Sequence, residues 1–240
     1  MSWLANWNNK MSNGPQFTDR HDAGRQLAKP VALLNLHDPV VLALPRGGVP
    51  VAYEIAKALR APLDLLLVRK LGAPGHEEYG IGALVDGADP QIVLNEEAMD
   101  IVRPPPGYLE SETQRQLVEL ERRRKVYLGS RQAIPTIGRI VVVVDDGIAT
   151  GSTVTVALRA LRKSNAASIV LAVPVAPIDV IEALRVECDE IVCLSTPRQF
   201  HAVGSHYANF GQTTDQEVVA LLDAAQHWMS PNRAGEVVPE

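Results

Sequence analysis

Cysteine is nearly absent from this chain: its 240 residues include two, Cys188 and Cys193. Their spacing suits neither a zinc site nor a redox pair, so no disulfide or zinc scaffold is expected. A thiol-poor chain with no secretory segment fits a reducing compartment, the cytoplasm. Long apolar runs are missing too. None reaches the roughly 18 residues of a membrane span, and the N-terminal stretch is polar rather than signal-like. Nor is there an excess of positive charge: the formal net charge is −5, which disfavours nucleic acid as the main partner and favours small ligands. No internal repeat or low-complexity stretch occurs. The length suits one sizeable α/β domain with its own core, taken here as residues 1–229, with 230–240 as a flexible tail.

What is present is an alternation of short apolar runs and helical periodicity. Residues 19–35 carry helical spacing (Leu27, Val31, Leu34), with Asp19 as the expected N-cap. VVLAL (40–44) reads as a strand buried on both faces. PRGGVP then turns into a helix over 50–60. LDLLLV (63–68) is expected to be one buried strand that delivers Arg69 and Lys70 at its end. GAPGHEEYGIG is read as a long glycine-punctuated loop, with short strands at 81–85 and 92–94. A helix is expected over 107–129. The second half is more regular, with strands at 139–144, 168–175 and 190–194 and helices at 153–163 and 179–186. A last helix covers 215–228. Such alternation implies right-handed crossovers and a parallel sheet flanked by helices. Ligands in such sheets bind beyond the carboxyl ends of the strands. PRGG, RKLGAPG and DDGIATGST are therefore expected on one rim, with residues 196–212 as a small hood over it.

The stretch VVVVDDGIATGST (141–153) carries the chemistry. A buried strand followed by glycine and small hydroxyl residues at a helix start presents unpaired N–H groups, an anion nest reinforced by the helix dipole. Gly147 and Gly151 permit unusual dihedrals, and Thr150, Ser152 and Thr153 add hydroxyl donors. Two familiar nucleotide loops fail. None of the six lysines follows a glycine, as a Walker A loop needs, and Gly80 and Gly82 lead to Val85 where a dinucleotide fingerprint needs glycine. Asp145 and Asp146 cannot face the phosphate. At about 4 Å and an effective dielectric near 20, each like-charge pair costs about 4 kcal/mol. A ribose diol or a divalent cation would suit them, so the ligand implied has a phosphate at one end and hydroxyls or metal nearby.

That combination resembles the type I phosphoribosyltransferases, whose signature is an apolar strand, two acids and a small-residue loop ending in Thr-Gly-x-Thr or similar. PRGG and the RK pair before a long loop also resemble that family's pyrophosphate loop and lid. LPRGGVPVAYEIA, VRKLGAPGHEEYGIGA and FHAVGSHYANFGQTTDQEV resemble a bacterial group described as predicted phosphoribosyltransferases. The resemblance implies a phosphoribosyltransferase-like fold and transfer from phosphoribosyl pyrophosphate (PRPP), with pyrophosphate release. Gly147, Ala149, Thr150, Gly151, Ser152 and Thr153 would take the 5′-phosphate, and Asp145 and Asp146 the ribose hydroxyls. Arg46, Gly47 and Gly48 would take the pyrophosphate, with Arg69 or Lys70 neutralising charge as it leaves. Mg²⁺ would be held mainly by PRPP, with Asp145 and Asp146 in reach. Closure of 71–82 would exclude water, and Glu77 or Glu78 would assist a proton transfer. A homo-oligomer such as a dimer is implied as well.

The acceptor stays open. Family members that use 6-oxopurines place an acid where Ala149 stands, which weighs against hypoxanthine and guanine and leaves adenine, pyrimidines and non-nucleobase acceptors. Phe200, Tyr207 and Phe210 are either hydrophobic packing or a shelf for a planar acceptor. Arg69 and Lys70 are either ligand contacts or the snorkelling ends of a buried strand. His76, His201 and His206 read as solvated, without metal spacing. The run Arg122–Lys125, after Glu119 and Glu121, reads as a solvated, salt-bridged helix face. Two other functions use the same loop: a ligand sensor without turnover, and a phosphohydrolase.

Overall fold

The computed structural model describes residues 15–229 apart from residue 89, together with the side chains of all but residues 78 and 229. The expected tail at 230–240 and most of the polar N-terminal stretch lie outside the described residues. Five parallel strands form the main sheet in the order β2-β1-β6-β7-β8: β1 (Val40–Ala43), β2 (Leu63–Leu65), β6 (Ile140–Val144), β7 (Ser168–Val175) and β8 (Glu190–Ser195). Strand β6 sits at the centre, paired with β1 through Val40↔Val141 and with β7 through Ile140↔Ser168. Its four terminal valines are fully buried, as β-branched residues between two helical layers should be. Helices α1 (Arg20–Ala32), α2 (Gly48–Leu59), α5 (Ser152–Lys163), α6 (Ile178–Leu184) and α7 (Asp215–Met229) flank this sheet.

The expected N-cap holds: Asp19 accepts from the Asp22 amide at 2.7 Å. Helix α1 lies tightly on α2, because a Cβ on Gly24 would stand 2.8 Å from the Val51 carbonyl oxygen. No helix among the described residues is long and apolar enough to cross a membrane.

One region departs from the sequence reading. LDLLLV is not one strand. Pairing with β1 ends at Leu65, and the Leu67 amide is taken by the Asp86 carboxylate at 2.6 Å. The chain then enters a second, antiparallel sheet of β3 (Val68–Ala73), β4 (His76–Val85) and β5 (Gln91–Leu94). Leu63 through Leu67 are buried throughout, so one continuous apolar run serves two sheets and periodicity cannot locate the exit. The expected glycine-rich loop is thereby corrected to a hairpin, with Pro74 and Gly75 between its strands and Ala73 opposite His76. Gly75 takes φ +72° there. A further helix, α3 (Glu96–Val102), was not expected; Asn95 caps it by accepting from the Ala98 amide. Helix α4 (Tyr108–Leu128) follows.

Candidate functional site

The carboxyl ends of the adjacent strands β1 and β6 bring two distant motifs together. After β1 the chain runs through Leu44 and a cis Pro45–Arg46 peptide into the Gly47–Gly48 turn that opens α2. After β6 it passes Asp145 and Asp146. The two turns touch so closely that side chains are excluded. A Cβ on Gly47 would lie 2.0 Å from Asp146 Oδ2, and one on Gly48 2.7 Å from the Val144 carbonyl oxygen and 3.0 Å from Asp145 Cα. Both glycines are there for that approach. Arg46 points away toward α7, with Nη1 3.5 Å from Asp215 Oδ1, and Asp215 also accepts from the Tyr127 hydroxyl at 2.8 Å.

The acid pair is unevenly served. Asp145 Oδ1 accepts the Asp146 amide at 2.8 Å. Asp146 Oδ2 accepts Arg20 Nε at 2.7 Å. Burial first, then the neighbouring Asp146 charge, pushes the Asp145 carboxyl well above its ordinary range. Burial also raises Asp146, with the Arg20 guanidinium pulling the other way. Among the described residues the pair is served by one arginine, one backbone amide and a hydrogen bond between the two carboxyl groups themselves, so it stays short of positive charge. A diol or a cation supplies what is missing. Among the described residues no group of three or more His, Cys, Asp or Glu side chains is placed to hold a metal ion. Among those residues, a cation at the acid pair would meet two carboxylates and no closed cage.

Beyond the acids the chain forms the expected loop. Ile148 is fixed by donating to the Val175 carbonyl, and Gly151, at φ +76°, precedes the first residue of α5. Gly147 holds φ +154° against Val203 and Val175, where a Cβ would come within 2.5 Å of Val203. Among the described residues the amides of Thr150 through Thr153 donate to no acceptor of the fold, as the first turn of a helix requires. Ala149, Thr150, Ser152 and Thr153 are exposed, and the Thr150 and Ser152 hydroxyl oxygens lie 3.3 Å apart. Four free amides and the paired Thr150 and Ser152 hydroxyls thus lie at the positive end of α5.

Two of the expected site residues sit on a different element from the one expected. Arg69 and Lys70 belong to β3 of the antiparallel sheet, not to the end of a core strand. Arg69 donates to Gln116 of α4 at 3.0 Å, and the Lys70 stem passes over Gly80. Glu77, on the hairpin, pairs with Arg115 at 3.1 Å.

The hood is also built differently from a free aromatic shelf. Tyr207 packs on Phe17 and Phe210, with ring centroids 5.3 and 4.9 Å away, and Phe200 stacks on His206 at 5.6 Å. The buried Tyr207 hydroxyl donates to the Asp146 carbonyl oxygen; burial raises its pKa and keeps that proton in place. Phe210 carries the Arg20 guanidinium over its ring, 3.9 Å from the centroid.

Arg20 is the residue that sequence reasoning missed. It lies 126 positions from Asp146. The only local signal is that it is the first residue of α1, where a positive charge opposes the helix dipole and so calls for a partner.

With this geometry in view, the likeness to known proteins is specific. The profile of the phosphoribosyl transferase domain matches residues 16–208. Two curated Mycobacterium tuberculosis proteins, from strains CDC 1551 / Oshkosh and H37Rv, are each described as a candidate phosphoribosyl transferase. Each is 49% identical over 209 residues, covering 87% of this chain and 47% of its own length. The chain thus spans about half the length of the curated relatives it matches. Among solved structures, TT1426 from Thermus thermophilus is 44% identical with a TM-score of 0.75, over 86% of this chain and 97% of that one. A match across most of the chain, on a parallel sheet whose central strand ends in the acid pair and the open helix terminus, makes this protein a member of the phosphoribosyl transferase domain family.

Proposed function

We propose that this protein transfers the phosphoribosyl group of PRPP to a small acceptor and releases pyrophosphate. The observation that carries the reading is the adjacency of opposites: four unpaired amides at Thr150–Thr153 follow a partly buried, charge-starved acid pair in one short turn. A phosphate and a diol held a few bonds apart, as on a ribose 5-phosphate, answer both demands at once. The Gly47–Gly48 turn lies against the acids, and in this reading it takes the pyrophosphate at C1′. Arg46 is the cation of that turn, and its long 3.5 Å contact with Asp215 is weak enough to exchange for a phosphate.

In this reading the bond from C1′ to the pyrophosphate oxygen breaks as the acceptor atom bonds to C1′. The electron pair leaves with pyrophosphate, and positive charge develops on the ribosyl ring. The residues contribute mainly by orientation and by placing negative charge near that ring. A bound Mg²⁺ would neutralise the pyrophosphate, held mainly by the ligand with Asp145 and Asp146 as the available protein carboxylates. The hood aromatics pack on one another, and Arg20 covers a face of Phe210. Phe200 likewise has a face on His206, so neither ring stands as a free shelf for a planar acceptor.

A second reading, a PRPP sensor without turnover, draws support from Arg69. Arg69 is tied to Gln116 on α4, which would have to give way before it could serve the leaving group. Incubation with PRPP, Mg²⁺ and a panel of adenine, pyrimidines and non-nucleobase amines separates these readings. Transfer predicts pyrophosphate and a new ribosyl product with one acceptor. Calorimetric binding of PRPP without either product supports the sensor. Phosphate released without any acceptor supports hydrolysis, and no binding at all refutes the phosphoribosyl reading.

A further inference from the structure

Arg20 is bonded at once to the acid motif and to the hood. Its Nε donates to Asp146 Oδ2 at 2.7 Å, its Nη1 donates to the Gly211 carbonyl oxygen at 2.6 Å, and its guanidinium covers the Phe210 ring. The arginine side chain is 12% exposed and the Asp146 side chain 15%, so solvent screens the pair little. A parallel route joins the same two regions through Tyr207, whose hydroxyl holds the Asp146 carbonyl oxygen while its ring packs on Phe210.

The hood itself is a two-piece structure. Phe17 donates to the His206 carbonyl oxygen, and Ala208 and Asn209 donate to those of Phe17 and Thr18. These bonds bring the segment just before α1 alongside residues 206–209. Phe17, Ala23, Val175 and Tyr207 form their own small buried cluster. Arg20 therefore starts the helix that carries half of the hood, while its charge sits on the carboxylate assigned to the ribose.

We propose that Arg20 is a positioning residue that couples the two halves of the site, so that a ribose phosphate seated against Asp146 is felt at the hood. A diol or a cation on Asp146 competes with Arg20 for the same carboxylate. Whatever that competition does to the ion pair is transmitted to Gly211 and Phe210, because one rigid planar group makes all three contacts. By reciprocity, ordering the hood over an acceptor changes the affinity for the ribose ligand by the same factor. This rests on the phosphoribosyl reading for the ligand; the tether between Asp146 and the hood does not.

The test is hydrogen exchange of peptides spanning 203–211 and, as a control, the β6 and β7 peptides. It uses the wild type, Arg20→Gln, Arg20→Lys and Phe210→Leu, each alone and with PRPP plus Mg²⁺. Without ligand, hood exchange in Arg20→Gln is expected to be about tenfold faster, as loss of a charge-assisted hydrogen bond implies, with the control peptides unchanged. Arg20→Lys keeps a charge for Asp146 but loses the planar bridge, and so falls between them. Phe210→Leu, which leaves the ion pair intact, gives a smaller rise and stands in if Arg20→Gln does not fold. With ligand, the hood of the wild type is expected to change its exchange while that of Arg20→Gln does not. Equal hood exchange in unliganded wild type and Arg20→Gln overturns the tether. An equal ligand response in both overturns the coupling. Failure of the wild type to bind PRPP by calorimetry sinks the phosphoribosyl reading and the coupling with it, and the ligand-free comparison still decides the tether.

Discussion

Two aspartate pairs in this molecule are each held by one arginine, and they are built to opposite ends. In the first, Arg124 of α4 bonds Asp64 of β2 through Nη2 at 3.0 and 3.1 Å and Asp86, just past β4, through Nη1 at 2.6 Å. Backbone amides take the remaining capacity: Leu65 and Ile134 donate to Asp64, and Leu67 donates to Asp86. Every carboxylate oxygen has a donor. The cluster joins the edge of the parallel sheet to the antiparallel one where the LDLLLV run divides. In the second pair, Asp145 and Asp146 receive one backbone amide and one guanidinium bond from the described residues and otherwise share a hydrogen bond between their own carboxyl groups. A buried carboxylate pair with its donors supplied is a structural joint, whereas the partly buried pair at the strand end, short of positive charge, is the one to which the proposed function assigns a ligand.

Removing the arginines should separate the two roles most sharply. Arg124→Ala leaves two carboxylates buried without a counter-charge and is expected to cost about 3–5 kcal/mol in urea unfolding. Arg20→Ala leaves an acid pair that is only partly buried and open to water, and should cost less; equal losses would break the comparison.

The pH dependence of the joint comes next. Burial raises Asp86 from its ordinary value of 3.8 to about 6, against the pull of Arg124. The folded state therefore holds the extra proton between those values, so this group contributes most stability below about pH 4 and loses it as pH rises through about 6. Relative to Asp86→Asn, the wild type should lose on the order of 3 kcal/mol across that window. Parallel stability curves for the two proteins would count against it.

Asp145→Asn sharpens the other side. An asparagine oxygen can still accept the Asp146 amide, while the like-charge repulsion and desolvation that burden the Asp145 carboxyl disappear. Melting should therefore rise, by about 1 kcal/mol of stability, while PRPP-dependent pyrophosphate release falls about a hundredfold. Lower stability in the variant would place Asp145 with the structural joint. The smallest effect is expected at Glu119. Its carboxyl is held down to about 2 by Arg122 and Arg123 on an exposed helix face, and Glu119→Gln should leave the melting temperature unchanged.

How much was legible follows from the range of each signal. The run of valines, the glycine and hydroxyl loop and the helical spacing are local, and β1, β6, β7, α5 and α7 lie where they were expected. The hairpin at 68–85 was missed because β3 continues an apolar run and β4 begins in the polar stretch HEEYG. In the run Arg122–Lys125, the solvated reading suits Arg122 and Arg123, which pair with Glu119. It does not suit Arg124. A helix turns by about 100° per residue, so the next arginine lands on the buried face and reaches Asp64 and Asp86.

By itself, then, the sequence determined the parallel sheet, the acid pair on its central strand and the anion-ready loop behind it. Each depends on residue type and spacing within a few positions. Only the tertiary structure decided which aspartates are saturated, that Arg69 turns to α4, and that Arg20 reaches across 126 residues to Asp146 and the hood. The physical reason is that a carboxylate's chemistry depends on how many donors surround it when it is buried, and those donors come from strands and helices far away in the chain.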